Sequence, residues 1–183
     1  MASVLVPLAQ GCEELESVTI IDLLVRAGAQ VTSAGLQPGP VKASRGVVLL
    51  PDTDLDTALQ QDYDMVVLPG GMPGAQHLQD DPRIQQLLQS MAAADKFTAA
   101  ICAAPKVLAA AGLLDGKRAT SYPGFLDREP APGMHYESAA VVQDGKVITS
   151  RGPGTAMDFT LCLIENLFGK AKRDQVEAGL QRG

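Results

Sequence analysis

A chain of 183 residues, 46% of them apolar and 20% charged, suffices for one domain with a substantial core and is too apolar for disorder. Fifteen Lys and Arg against twenty-one Asp and Glu leave a net charge of −6 with no basic block, which argues against a nucleic-acid or acidic-membrane surface. No apolar run approaches the roughly 18 residues of a membrane span, residues 1–10 lack the basic lead of a secretion signal, and three cysteines without a Cys-x-x-Cys pair disfavour a disulfide scaffold or a zinc cluster; this reads as a cytoplasmic protein with reduced thiols.

The apolar run 4–9 predicts a first strand that ends at Gln10-Gly11. Glu13 and Glu14 then open a helix whose apolar stretch 18–25 closes at Gly28, since carboxylates favour a helix start and glycine ends one. Short runs at 30–34 and 47–50 and the apolar run 65–68 read as further strands, the last stopping at Pro69-Gly70-Gly71. Residues 81–94 form a helix, because Ile84, Leu87, Leu88 and Met91 recur at helical spacing. A strand at 97–101 runs directly into Cys102, and the alanine-rich 103–111 follows as a helix. Segments 139–142 and 147–149 flank Asp144-Gly145, a hairpin signal. Helices at 154–168, with Ala156, Phe159, Leu163 and Leu167 on one stripe, and at 170–180 complete the chain.

Continuous apolar strands alternating with helices imply a parallel sheet covered on both faces, hence a three-layer α/β domain over residues 1–183. Sites in such sheets lie beyond the carboxyl ends of strands. Three segments sit there: residues 11–16, residues 69–74, and Cys102.

Cys102 stands between an entering strand and a leaving helix, as in a nucleophile elbow. A helix N-terminus there stabilises a thiolate. The competing reading is a buried structural cysteine. Cys162 lies within a helical stripe and reads as core. Cys12 follows Gly11 in a loop and reads as partly exposed and incidental. Glu16 shares the helix side of Ile20, Leu23 and Ala27, so its carboxyl is expected to be partly desolvated and raised in pKa; the alternative is an exposed first-turn acid. The Gly70-Gly71 turn offers backbone N–H groups to an oxyanion, or is simply a tight turn. His77 and His135 have no ligand-spaced partner and read as surface or structural histidines. No phosphate-binding glycine motif is present.

Together, Gly11-Cys12-Glu13-Glu14-Leu15-Glu16, Leu68-Pro69-Gly70-Gly71, Ala100-Ile101-Cys102-Ala103-Ala104-Pro105 and Ser150-Arg151-Gly152-Pro153-Gly154-Thr155 resemble the motifs of the DJ-1/ThiJ/PfpI superfamily, in family order and over nearly the whole chain. The resemblance is strongest to the branch of the Parkinson-disease-linked deglycase and bacterial YajL. It implies a flavodoxin-like α/β/α sandwich and a homodimer. It implies that Cys102 is a nucleophilic, oxidisable cysteine, that Glu16 is the acid hydrogen-bonded to it, and that Gly71 and Ala103 lend backbone N–H groups to an oxyanion. It further implies cofactor-free glyoxalase activity, a deglycase activity on glycated protein or nucleotide groups, or an oxidation-regulated chaperone with unfolded clients.

Two positions depart from relatives. Tyr122 stands where many carry a histidine, and a phenol is no neutral-pH base. Ala103 stands where the protease-like members carry a histidine, which disfavours a Cys-His-acid hydrolase. Arg26 and Arg45 match arginines near the dimer interface of relatives; Arg45, with Tyr122, is a candidate for binding substrate, and a surface salt bridge is the alternative for both arginines. The expected function is therefore a glyoxalase or deglycase using Cys102 as nucleophile and Glu16 as acid/base on small aldehydes, without cofactor or metal, the alternative being a redox-sensing cysteine protein or chaperone.

Overall fold

The computed structural model describes residues 1–128 and 130–182. Its centre is a seven-stranded sheet in the order Val141–Asp144, Val147–Ser150, Phe97–Ile101, Met65–Leu68, Ser3–Leu8, Gln30–Gly35, Thr53–Asp54. Among the described residues, the only antiparallel pair in this sheet is the hairpin at one edge, Val141–Asp144 with Val147–Ser150. The remaining neighbours are parallel.

Numbered along the chain, the five inner strands follow the flavodoxin-like order 2-1-3-4-5. The order reverses between Ser3–Leu8 and Met65–Leu68. Crossovers leave these two strands in opposite directions, so a crevice opens beyond their carboxyl ends.

Two apolar layers flank the sheet, as the continuous apolar strands require. One packs Val4, Val6, Met65, Val67 and Ile148 against Ile20, Leu24, Phe159 and Leu163 of helices Glu14–Ala27 and Ala156–Phe168. The other packs Leu5, Val66, Leu68 and Ala100 against Leu78, Ile84, Leu88 and Leu108 of helices Gly74–Asp80, Pro82–Ala93 and Pro105–Ala110. The first helix stops where Gly28 takes a left-handed φ of 91°, and its N–H closes on Leu24 O and Val25 O.

The expected strands at 65–68 and 97–101 appear with those bounds. The run 47–50 does not join the central sheet. Only Val48–Leu49 is extended, and it pairs with Val41–Lys42 in a separate two-stranded ribbon, with Val48 and Leu50 facing solvent. Several elements carry too few residues for any periodicity, among them the edge strand Thr53–Asp54, helix Leu55–Ala58 and the paired strands Arg118–Ala119 and His135–Tyr136. Among the described residues, no helix is long and apolar enough to cross a membrane.

Candidate active site

The three segments beyond the strand ends converge at the crevice. Glu13 caps its own helix, its side chain accepting from Glu16 N at 2.9 Å. That fixes Glu16 one turn in, pointing at the loop after Leu68. Glu16 is fully buried. Its Oε2 accepts from Gly70 N at 2.8 Å, and its Oε1 has no hydrogen-bond partner. Burial raises the carboxyl from an ordinary 4.5 to about 7, against the pull of the Gly70 N–H and the Cys102 thiol. The sequence placed Glu16 at the rim of an apolar stripe, and its full burial comes from the 69–71 loop, which helix periodicity does not reveal.

Gly70 has no room for a side chain. A Cβ there would lie 2.6 Å from the Cys102 Cβ, 2.9 Å from Glu16 Oε2 and 2.9 Å from Ile101 O. Glycine is what brings the acid and the cysteine within reach of one another.

Cys102 follows its strand in a left-handed conformation, φ 63°, which a residue with a Cβ adopts only at a cost of order 1–3 kcal/mol. Two long-range hydrogen bonds hold it there. Its N–H donates to Ser150 O at 3.0 Å, and its carbonyl accepts from Tyr122 N at 2.8 Å. The residue is 8% exposed, and it lines an open cleft. Burial, then the Glu16 carboxylate beside it, push the thiol up to about 12, while the N–H groups of Gly71 and Ala103 pull it down. The thiolate expected at a helix N-terminus meets two opposing effects, burial and the neighbouring Glu16 charge. The helix is short and begins only at Pro105, and Glu16 supplies the opposing charge. Cys102 and Glu16 contend for one proton. When Glu16 holds it, the repulsion vanishes and the carboxyl becomes a donor for the sulfur.

The cleft has a volume of ≈ 410 Å³ and is lined by Glu13, Ser44, Arg45, Gly71, Met72, Cys102, Ala103, Tyr122, Phe125 and Pro153. Two hollows elsewhere are larger, ≈ 660 and ≈ 650 Å³, but neither is lined by a cysteine. The structure thus brings together Cys102, Glu16, Gly71, Ala103, Tyr122 and Arg45. Arg26 is elsewhere, in an exposed pair with Asp22 at 3.0 Å.

Cys12 is fully buried rather than partly exposed, because the loop around Gly74 closes over its backbone. Cys162 is half-buried beside the Gln143 amide. His77 and His135 are exposed, and His77 Nδ1 meets Gln10 O at 3.0 Å. No cluster of three potential metal ligands occurs among the described residues.

Several contributors escaped sequence reasoning. Glu14, taken as a plain first-turn acid, is buried and accepts from Arg45 N at 2.9 and 3.1 Å, Val47 N at 3.4 Å and Ser44 Oγ at 3.2 Å. It therefore fixes the turn that presents Arg45. Phe125 was also missed, and Met72 and Pro153, though inside segments singled out, were not read as lining the cleft. The only signal for Phe125 was a second aromatic three residues after Tyr122 in the otherwise irregular stretch 120–128.

Residues 2–166 match the DJ-1/PfpI family. The chain is 45% identical over 179 residues to protein dj-1beta of Drosophila melanogaster, spanning 97% of this chain and 96% of that protein. It is 37% identical over 175 residues to the glutathione-independent glyoxalase DJR-1.2 of Caenorhabditis elegans, spanning 96% of this chain and 92% of that one. The crystal structure of Drosophila melanogaster DJ-1beta aligns with a TM-score of 0.95 at 44% identity, covering 100% of this chain and 98% of that chain.

Proposed function

The chain belongs to the DJ-1/PfpI family, and from the pairing of Cys102 with Glu16 we propose a cysteine-dependent, cofactor-free glyoxalase that converts glyoxal and methylglyoxal to 2-hydroxy acids. The observation that carries this reading is the fully buried Glu16 carboxyl, raised to about 7, beside a cysteine that opens onto a cleft. A relative at 37% identity carries the name glutathione-independent glyoxalase.

Each step has its group. The Cys102 sulfur attacks the aldehyde carbon, and its proton passes to the Glu16 carboxylate. Glu16 as base lowers the barrier that a thiol pushed up to about 12 would otherwise impose. The N–H groups of Gly71 and Ala103 face the sulfur and hold the alkoxide, which takes the proton from Glu16 to give a hemithioacetal and leaves Glu16 again a carboxylate. Glu16 then takes the proton on the former aldehyde carbon and returns it to the neighbouring carbon. The product is a thioester, which water cleaves to the 2-hydroxy acid and the free thiol. The oxidation of one carbon balances the reduction of its neighbour, so no external oxidant enters.

Early adducts of the same aldehydes on proteins or nucleotides present the same carbonyl chemistry and are secondary substrates in this reading. The protein acts in the cytoplasm as a homodimer. Support for the dimer comes from Leu15, Val18 and Val25, about half exposed along one stripe of the first helix, together with exposed Val48 and Leu50.

The test is glutathione-free conversion of methylglyoxal to lactate by wild type, Cys102→Ser and Glu16→Gln. Loss of turnover in both variants supports the site. Full activity in Glu16→Gln sinks the mechanism. A wild type that is inactive with Cys102 reduced moves the weight to the second reading, in which Cys102 is an oxidisable sensor controlling a chaperone surface. That reading is favoured by the orphaned Glu16 Oε1, which when protonated donates to an oxidised sulfur as well as to a thiol.

A further inference from the structure

The chemistry above uses little of the cleft. A two- or three-carbon oxoaldehyde is spanned by the sulfur, Glu16 and the N–H groups of Gly71 and Ala103. The cleft volume of ≈ 410 Å³ nevertheless falls within the range of about 300–1,000 Å³ typical of sites for much larger ligands. Much of the remaining lining is apolar. Met72 is 46% exposed and Tyr122 48%, uncovered beside the nucleophile.

The aromatic part of this lining is held rigidly. Tyr122 N donates to Cys102 O at 2.8 Å, so the ring is carried on a turn tied to the nucleophile itself. Ser121 Oγ donates to Tyr122 O at 2.9 Å and accepts from Leu126 N at 3.1 Å, which pins the turn from both sides. Phe125 packs edge-on against Tyr122, ring centroids 6.4 Å apart and planes at 75°. Gly152 clears the space beside the ring, since a Cβ there would lie 3.3 Å from Tyr122 Cδ2. Pro153 continues the same wall.

We propose that Tyr122 and Phe125 form a subsite for a flat apolar substituent, so that aryl-substituted 2-oxoaldehydes are turned over in preference to glyoxal and methylglyoxal. The inference rests on the glyoxalase reading for its chemistry and on the shape of the cleft for its selectivity. The substituent lies against the aromatic wall while the aldehyde carbon meets the Cys102 sulfur. The proton transfer and thioester hydrolysis are those written above, and phenylglyoxal gives mandelate.

The experiment compares initial rates on phenylglyoxal and methylglyoxal for wild type, Phe125→Ala and Tyr122→Leu, each checked for an unchanged thermal midpoint. Alongside, alkylation of Cys102 by 2-bromoacetophenone and by iodoacetamide is followed by intact mass and peptide mapping in the same proteins. That readout needs a sulfur and a subsite but no turnover. The expected result is a phenyl-to-methyl ratio of kcat/KM of roughly tenfold or more in wild type, falling by about fivefold in Phe125→Ala. The aryl-to-iodoacetamide alkylation ratio falls in parallel. A wild type without turnover whose alkylation ratio still drops in Phe125→Ala overturns the glyoxalase reading and keeps the aryl subsite. Ratios that Phe125→Ala and Tyr122→Leu leave unmoved in both assays overturn the subsite.

Discussion

Glu16 Oε2 accepts a hydrogen bond from Gly70 N at 2.8 Å, and the missing side chain of Gly70 is what lets the two approach. A buried carboxyl, a close-approach glycine and a strained cysteine therefore form one mechanical unit. Altering any one of them disturbs the other two.

Gly70→Ala puts a methyl group into space already filled by the Cys102 Cβ, Glu16 Oε2 and Ile101 O. Two of those three belong to backbone or to a residue held by backbone bonds, so neither yields cheaply. Overpacking of this kind costs about 1–3 kcal/mol or more. The variant is expected to melt several degrees lower in calorimetry and to lose methylglyoxal turnover. An unshifted melting point with full activity would contradict the packing described here.

Glu16 also makes stability fall with pH. Its carboxyl is raised from 4.5 to about 7 in the fold, so between those values the native state holds a proton that the unfolded chain has released. The contribution is intact below 4.5, is lost as pH rises toward 7 and stays lost above it. At about 1.4 kcal/mol for each pH unit, the loss is roughly 3 kcal/mol. Glu16→Gln removes this dependence, so denaturant titrations should find the variant more stable than wild type at pH 8 and not at pH 4. In wild type, kcat/KM for methylglyoxal should rise on an acid limb near pH 7, where Glu16 becomes a base. A flat profile through that range is the adverse result.

Mild peroxide should oxidise Cys102 before Cys12 or Cys162. Cys102 opens onto a cleft and Cys12 has no exposed surface. Peptide mapping at the first oxidation step is the check. Cys12 reacting first would remove the basis of the sensor reading.

The apolar stripe on the first helix predicts a concentration-dependent assembly. Val18→Glu adds a charge at its centre without touching the core, since Val18 is exposed. Sedimentation should show a dimer for wild type and a monomer for the variant, with little change in monomer secondary structure. A monomeric wild type would instead leave the exposed Leu15, Val18 and Val25 without an assembly role.

The amino-acid sequence by itself determined the layers and the places where chemistry sits. The apolar run 65–68 and the mostly apolar run 97–101 read as buried parallel strands because a strand covered on both faces needs no alternation. The motifs around Glu16, Gly70 and Cys102 were legible because each follows such a strand or opens the helix after one. Only the tertiary structure decided the protonation of the pair. Glu16 is buried by a loop more than fifty residues away in the chain, and no local pattern reports the desolvation that a distant segment imposes. The same holds for Cys102, whose expected thiolate is opposed by a carboxylate from another element, and for Cys12, which the turn around Gly74 covers. Periodicity records which face of an element is apolar. It carries no record of what the chain later folds against that face, and that contact sets the proton affinities on which the site depends.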